Sequence, residues 1–197
     1  MIDMHPIVSI FKNPPDGGRG YHRDMRVRWA LEEVGQAYQL RLLAFSEMRR
    51  PEYRKLHPFG QMPTYEEGDL VLFESGAIVH HIAQSYSGLL PPDQNARSRA
   101  VMWMFAALNT VEPCVDSGSV GYLVQRLHEL SAVLDAHDWL DGEFSGGDLL
   151  MVSVLRPLRG SDVLQDTPNL GAYIARAEAR PAFQRALTMS SDLIRTA

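Results

Sequence analysis

The stretch HPFGQMPTYEEGDLVLFESGAIVHHIA, His57 to Ala83, decides how this chain is read. It begins as a proline-bearing turn and ends its approach on Met62-Pro63. Two short strands follow, Met62–Glu66 and Leu70–Phe73, joined across Glu67-Gly68-Asp69, where Gly68 can take the positive φ of a tight hairpin. A helix then starts at Glu74-Ser75 and carries Ile78, Ile82 and Tyr86 at four-residue steps. These parts make a pocket for a small extended peptide. Pro63 lets Met62 offer a main-chain edge, Glu74 offers an acceptor for an ammonium, and Ser75 at the helix mouth offers donors for a carboxylate.

Upstream, Ile7 to Phe11 (IVSIF) is short, β-branched and aromatic, so it reads as a strand. NPPDGGRG, Asn13 to Gly20, is a loop by composition. Asp24 to Gly35 reads as a helix with Met25, Trp29, Leu31 and Val34 on its apolar face. Ala37 to Ala44 is a second strand, and Glu47 to Leu56 a short polar helix with weak periodicity. The result is an α/β domain over residues 1–87.

The segment SGLLPPD, Ser87 to Asp93, is a proline-bearing connector, and residues 88–197 read as an all-helical domain. Ala96 to Glu112 is apolar nearly all round from Val101 to Leu108, which predicts a central position. Val120, Leu123, Leu127, Leu130 and Leu134 mark an amphipathic helix. Ser145 and Asp148 form a capping-box pattern, with Phe144 and Leu149 as its staple. Further helices begin at Pro168 and Pro181.

Composition narrows the function classes. With 45% hydrophobic and 22% charged residues, the 197-residue chain has the make-up of a soluble globular protein. A formal charge of −5 without a Lys/Arg run points away from nucleic acid. Met1 is followed by no apolar run of signal-peptide length, and no membrane-length apolar stretch occurs, so a cytoplasmic location is expected. The single cysteine, Cys114, excludes a CxxC site and an intrachain disulfide. The histidines show no metal-ligand spacing, so no metal is expected.

Three segments carry a resemblance to the cytosolic glutathione S-transferases, with a phi-like, plant-type binding motif. They are RVRWALEEVG (Arg26 to Gly35), HPFGQMPTYEEGDLVLFESGAI (His57 to Ile78) and FSGGDLLM (Phe144 to Met151). The resemblance implies a thioredoxin-like N-terminal domain, an all-helical C-terminal domain and glutathione as co-substrate, with no further cofactor. In that frame Pro63 is expected to be cis, leaving the Met62 N–H and C=O to pair with the cysteinyl part of glutathione. Ser75 would meet the γ-glutamyl carboxylate, Glu74 the γ-glutamyl ammonium, and Gln61 and Arg49 the glycine carboxylate.

The same resemblance implies conjugation of the glutathione thiolate to small electrophiles in an interdomain cleft, a detoxification chemistry, and a homodimer. Counting back from Arg26-Val27, the family's thiolate-activating position falls on Tyr21, although NPPDGGRG lengthens the loop and no serine or cysteine lies between Lys12 and Arg26. Asn13 and His22 are the neighbouring alternatives, and Arg19 or Arg23 could act through charge. Met102, Phe105 and Asn109 are expected to line the electrophile pocket. The connection after Pro113 is shorter than the family's long helical hairpin, implying either a truncated hairpin or a segment missing from this sequence. Two other functions fit the same pocket: a glutathione-dependent thiol–disulfide or peroxide reductase, and a non-enzymatic binding protein.

Overall fold

The computed structural model describes residues 5–196, with side chains through residue 189; the chain start at Met1 and the outer domain limits, 1 and 197, lie outside the described residues. Four strands form one mixed sheet in the order β2-β1-β3-β4. Strand β1 (Ile7–Phe11) pairs in parallel with β2 (Gln39–Leu43), with Val8 opposite Leu40 and Ile10 opposite Leu42. The crossover between them carries helix α1 (Asp24–Glu33). Strand β3 (Thr64–Glu67) runs antiparallel to β1, setting Val8 opposite Tyr65, and turns across Gly68-Asp69 into β4 (Leu70–Phe73). Helix α3 (Ser75–Ser85) follows directly.

This is the thioredoxin-like layout, and the chain's apolar spacing accounts for its core. Trp29, Leu31 and Val27 of α1 and Ile78, Val79 and Ile82 of α3 are all fully buried. A smaller cluster forms from Leu43, Met48 and Tyr53, with Phe11, Leu56 and Met62 packed against it. The segment expected as one polar helix, Glu47 to Leu56, is instead a 3-10 turn, Glu47–Arg49, and a single turn of helix, α2 (Pro51–Arg54). Pro51 explains the break: it disfavours helical backbone at Arg50, which is extended at ψ 145°, and then opens the new turn.

Two compact units emerge. One runs to Tyr86 and takes in the segment from Pro181; the other spans Ser87–Arg180. The sequence reading put the whole of 88–197 in the helical domain. The structure differs because helix α9 (Pro181–Thr196) packs on α1, setting Phe183 edge-on to Trp29 at 5.0 Å. Arg28 donates from Nη1 to the Ala186 carbonyl and so ties α1 to α9, while a buried ion pair to Asp24 at 2.9 Å, one turn back on α1, holds its guanidinium in place.

In the second unit, α4 (Gln94–Ala106) is capped by the Asp93 carboxylate, which accepts from the Ala96 N–H at 2.8 Å. The expected single helix to Glu112 widens into a π-helical turn over Ala107–Val111 before α5 (Glu112–Ser117). Pro113 has no N–H to give the carbonyl four residues back, and the register relaxes there. The apolar run from Val101 to Leu108, expected to place this helix centrally, is buried on one face only: Ala100, Met104, Ala107 and Val111 are buried, while Met102 and Phe105 are 52% and 61% exposed. A short turn at Gly118-Ser119 leads to α6 (Val120–Leu134), so the connection after Pro113 is closed by two residues. Helix α7 (Gly146–Leu155) opens on the expected capping box, with the Ser145 N–H donating to Asp148 at 2.9 Å. Helix α8 (Pro168–Glu178) ends the unit, and its Tyr173 donates to the same Asp148 carboxylate at 2.9 Å.

Candidate active site

The rim begins where the sheet stops. Strand β3 pairs from Thr64 onward, so Met62, joined to Pro63 by a cis peptide bond, lies outside the ladder. Its side chain is half-buried in the Leu43–Met48–Tyr53 cluster. Gln61 has an exposed side chain, whereas its carbonyl accepts from the Tyr53 hydroxyl at 2.7 Å. The His57 ring backs this turn, 4.9 Å from Phe73 and edge-on to Phe59. Burial holds its pKa below the usual histidine value despite the nearby Glu74 charge, so the ring is neutral near pH 7.

At the far end of the hairpin the chain enters α3 through Glu74, a non-glycine residue at φ 68°, ψ 111°. That conformation is sparsely populated for a side chain of this kind, and such positions concentrate at functional sites. Ser75, the first residue of α3, is only 4% exposed. The Glu74 side chain does not cap the helix, so among the described residues its first N–H groups and the positive end of its dipole face the rim uncapped by their own N-cap residue. Arg26, buried on α1, donates from Nη1 to the Ser75 hydroxyl oxygen at 3.2 Å. Ser75 therefore keeps its own proton to donate, beside a guanidinium charge.

Sequence reasoning missed Arg26. The available signal was an arginine among the apolar positions of α1, flanked by Met25 and Val27, which are both buried. Arg49, expected near the rim, is exposed with its guanidinium 5.8 Å over the Phe45 ring, and makes no hydrogen bond or ion pair to the rim among the described residues.

The loop between β1 and α1 is organised by Asp16. Its carboxylate accepts from the N–H groups of Gly18 at 3.0 Å and Tyr21 at 2.7 Å. The Asp16 N–H in turn donates to His22 Nε2 at 3.3 Å, and the His22 ring stands edge-on to Phe11 at 5.1 Å. Tyr21 is 36% exposed, with the Arg19 guanidinium 5.3 Å from its ring centre. A cavity of about 20 Å³, room for one water, lies under the loop against Phe11, Asp16, His22 and Arg28. In the second unit Met102, Phe105 and Asn109 are all exposed along α4 and the π turn. Among the described residues no cluster of His, Cys, Asp and Glu could hold a metal ion, and no helix is long and apolar enough to cross a membrane.

A sheet of this topology, with a cis-proline edge at Met62 and a helix opening at Ser75, defines a thioredoxin-fold domain, and comparison with known proteins agrees. The family model for the glutathione S-transferase N-terminal domain matches residues 17–84. Glutathione S-transferase 1 of Zea mays is 30% identical over 189 residues, covering 81% of this chain and 88% of that one. The chain belongs to the glutathione S-transferase family, as a glutathione S-transferase-like transferase. Poplar glutathione transferase F1 shares the fold with a TM-score of 0.83 at 22% identity, covering 95% of this chain and 99% of that one. A family member from Pseudomonas fluorescens, whose structure has two glutathione bound, gives 0.82 at 22% identity, covering 95% and 94%.

Proposed function

We propose that this chain conjugates the thiolate of glutathione to small electrophiles. The observation that carries the reading is the buried Ser75 hydroxyl beside Arg26 at the uncapped start of α3. In this reading the γ-glutamyl carboxylate takes the Ser75 hydroxyl and the helix N–H groups, its charge balanced by Arg26 and the dipole. Glu74 accepts from the ammonium, and the Met62 main chain pairs with the cysteinyl residue as an added strand. Gln61 and Arg49 take the glycine carboxylate.

Tyr21 is the proposed donor to the sulfur. A hydrogen bond to the ionised form lowers a thiol pKa that starts near ~8.5. The thiolate then attacks the electrophilic carbon, the carbon–sulfur bond forms, and the leaving group departs with its electron pair. Met102, Phe105 and Asn109 offer the exposed, mostly apolar surface for the electrophile. Glutathione is the co-substrate and no other cofactor enters this scheme. The working form is a cytoplasmic homodimer, as the family resemblance implies.

Calorimetric titration with glutathione tests the pocket, and turnover of an aryl halide against a mixed disulfide tests the chemistry. Binding together with arylation supports conjugation. Reduction of the disulfide without arylation replaces it with a reductase, and silence toward millimolar glutathione removes the enzyme reading. Tyr21→Phe is expected to raise the pKa of the bound thiol; an unchanged thiol pKa and turnover would clear the phenol of any role.

A further inference from the structure

Behind the Gln61–Met62 rim lies a chain of hydroxyls that no conjugation step uses. The Thr64 N–H donates to the Ser9 Oγ at 2.6 Å, and the Thr64 hydroxyl donates to the same oxygen at 3.0 Å. Ser9 Oγ lies 3.1 Å from the Tyr53 Oη, and the Tyr53 hydroxyl donates to the Gln61 carbonyl at 2.7 Å. Proton counting fixes the direction. Tyr53 spends its only proton on Gln61, so it must accept from Ser9, which has already accepted twice from Thr64. The chain runs Thr64 to Ser9 to Tyr53 to Gln61 with no donor left over. Thr64, Ser9 and Tyr53 are buried. Burial also pushes the Tyr53 phenol pKa up, so the donor to Gln61 keeps its proton.

Tyr53 holds the turn at its other end as well. Its carbonyl accepts from the N–H groups of Leu56 at 2.9 Å and His57 at 3.0 Å, where the turn leaves α2. One residue therefore fastens both the entry and the exit of the segment from His57 to Gln61. Between those points Gly60 sits at φ 62°, where an added Cβ would lie 2.8 Å from the Met48 carbonyl oxygen. The segment has little room to settle elsewhere.

We infer that Tyr53, oriented by Ser9 and Thr64, is a positioning residue that sets the Gln61–Met62 main chain at the register glutathione requires. The inference rests on the conjugation reading for its ligand and on the hydroxyl chain for its geometry. It extends the site by three residues that touch neither the thiol nor the electrophile.

The decisive variant is Tyr53→Phe, which removes one oxygen and little volume. It is expected to raise the KM for glutathione about five- to tenfold, leaving kcat and the KM for an aryl halide within about twofold. Leu56→Val trims the same apolar cluster without touching a hydroxyl, and should lower stability while leaving the glutathione KM in place. Amide exchange at Gly60, whose N–H donates to the His57 carbonyl at 2.8 Å within the same segment, gives a readout independent of glutathione in the ligand-free chain: it should speed up in Tyr53→Phe and not in Leu56→Val. If wild type binds no glutathione while exchange responds as expected, the conjugation reading fails and the positioning role of Tyr53 survives. Unchanged Gly60 exchange in Tyr53→Phe overturns the inference, as does an equal rise in glutathione KM in both variants.

Discussion

The two halves of the candidate site are built differently. The Gln61–Ser75 rim is held by residues far away in the chain: Ser9 reaches Thr64 across 55 positions and Arg26 reaches Ser75 across 49. In the first loop the Asp16 carboxylate accepts from near neighbours, the N–H groups of Gly18 and Tyr21, two and five positions on. Distant, buried partners lock the rim to the sheet and to α1. In the loop one partly exposed carboxylate accepts from two main-chain N–H groups close by. In the proposed conjugation scheme this division separates holding the peptide from activating its thiol, so the two should respond to different substitutions.

The strongest break comes at the helix mouth. Ser75→Ala should weaken glutathione binding by about 2.5 kcal/mol, roughly seventyfold in Kd, because a charge-assisted hydrogen bond is lost in a buried setting. Calorimetry checks it, and a change under threefold would remove Ser75 from the rim. Next in size, Gly60→Ala should cost about 2 kcal/mol of stability in a denaturant titration, since a side chain is forced into left-handed backbone against the Met48 carbonyl. The glutathione KM should rise with it; a stable variant with unaltered KM would show the rim to be slack.

On the loop side, Asp16→Ala strips two N–H groups of their acceptor. It should reduce kcat about fivefold with the glutathione KM unchanged, since about 1 kcal/mol of local order is lost beside Tyr21. Parallel changes in both constants would erase the contrast between the halves. The smallest effect is expected away from both, at Glu67, whose carboxylate accepts from Tyr65 at 2.8 Å and Tyr86 at 2.9 Å. Burial alone would raise its pKa, but the hydrogen bonds from Tyr65, Tyr86 and His81 outweigh it and leave the pKa lowered. A lowered folded-state pKa gives stability above the unfolded value that is lost as pH falls through the folded one. Glu67→Gln should therefore flatten the acid limb of the stability profile by about 0.5 kcal/mol, a figure kept small by solvent screening, with no change in KM.

What could be read from the sequence followed the same division between near and far. The hairpin, the Ser75 helix start and the Ser145–Asp148 capping box depend on residues within a few positions, and each has a local pattern. Arg26 and Tyr53 carry no such pattern, because their partners arrive only when α1 meets α3 and α2 meets β1 and the rim turn. The break in the polar segment at Pro51 and the widened helix before Pro113 were both marked by proline, yet their outcome depended on packing. The return of α9 to α1 had no sequence mark beyond an amphipathic pattern, which fits many surfaces equally.

That return has a consequence for how the molecule is made. A ribosome releases β1 through α3 early, and the helical unit next, and the partner of Trp29 and Arg28 emerges only after both. Until Phe183 and Ala186 are clear of the ribosome, the nascent thioredoxin-like half holds the α1 face around Trp29 uncovered, so its core is completed only after the helical unit between them has been made.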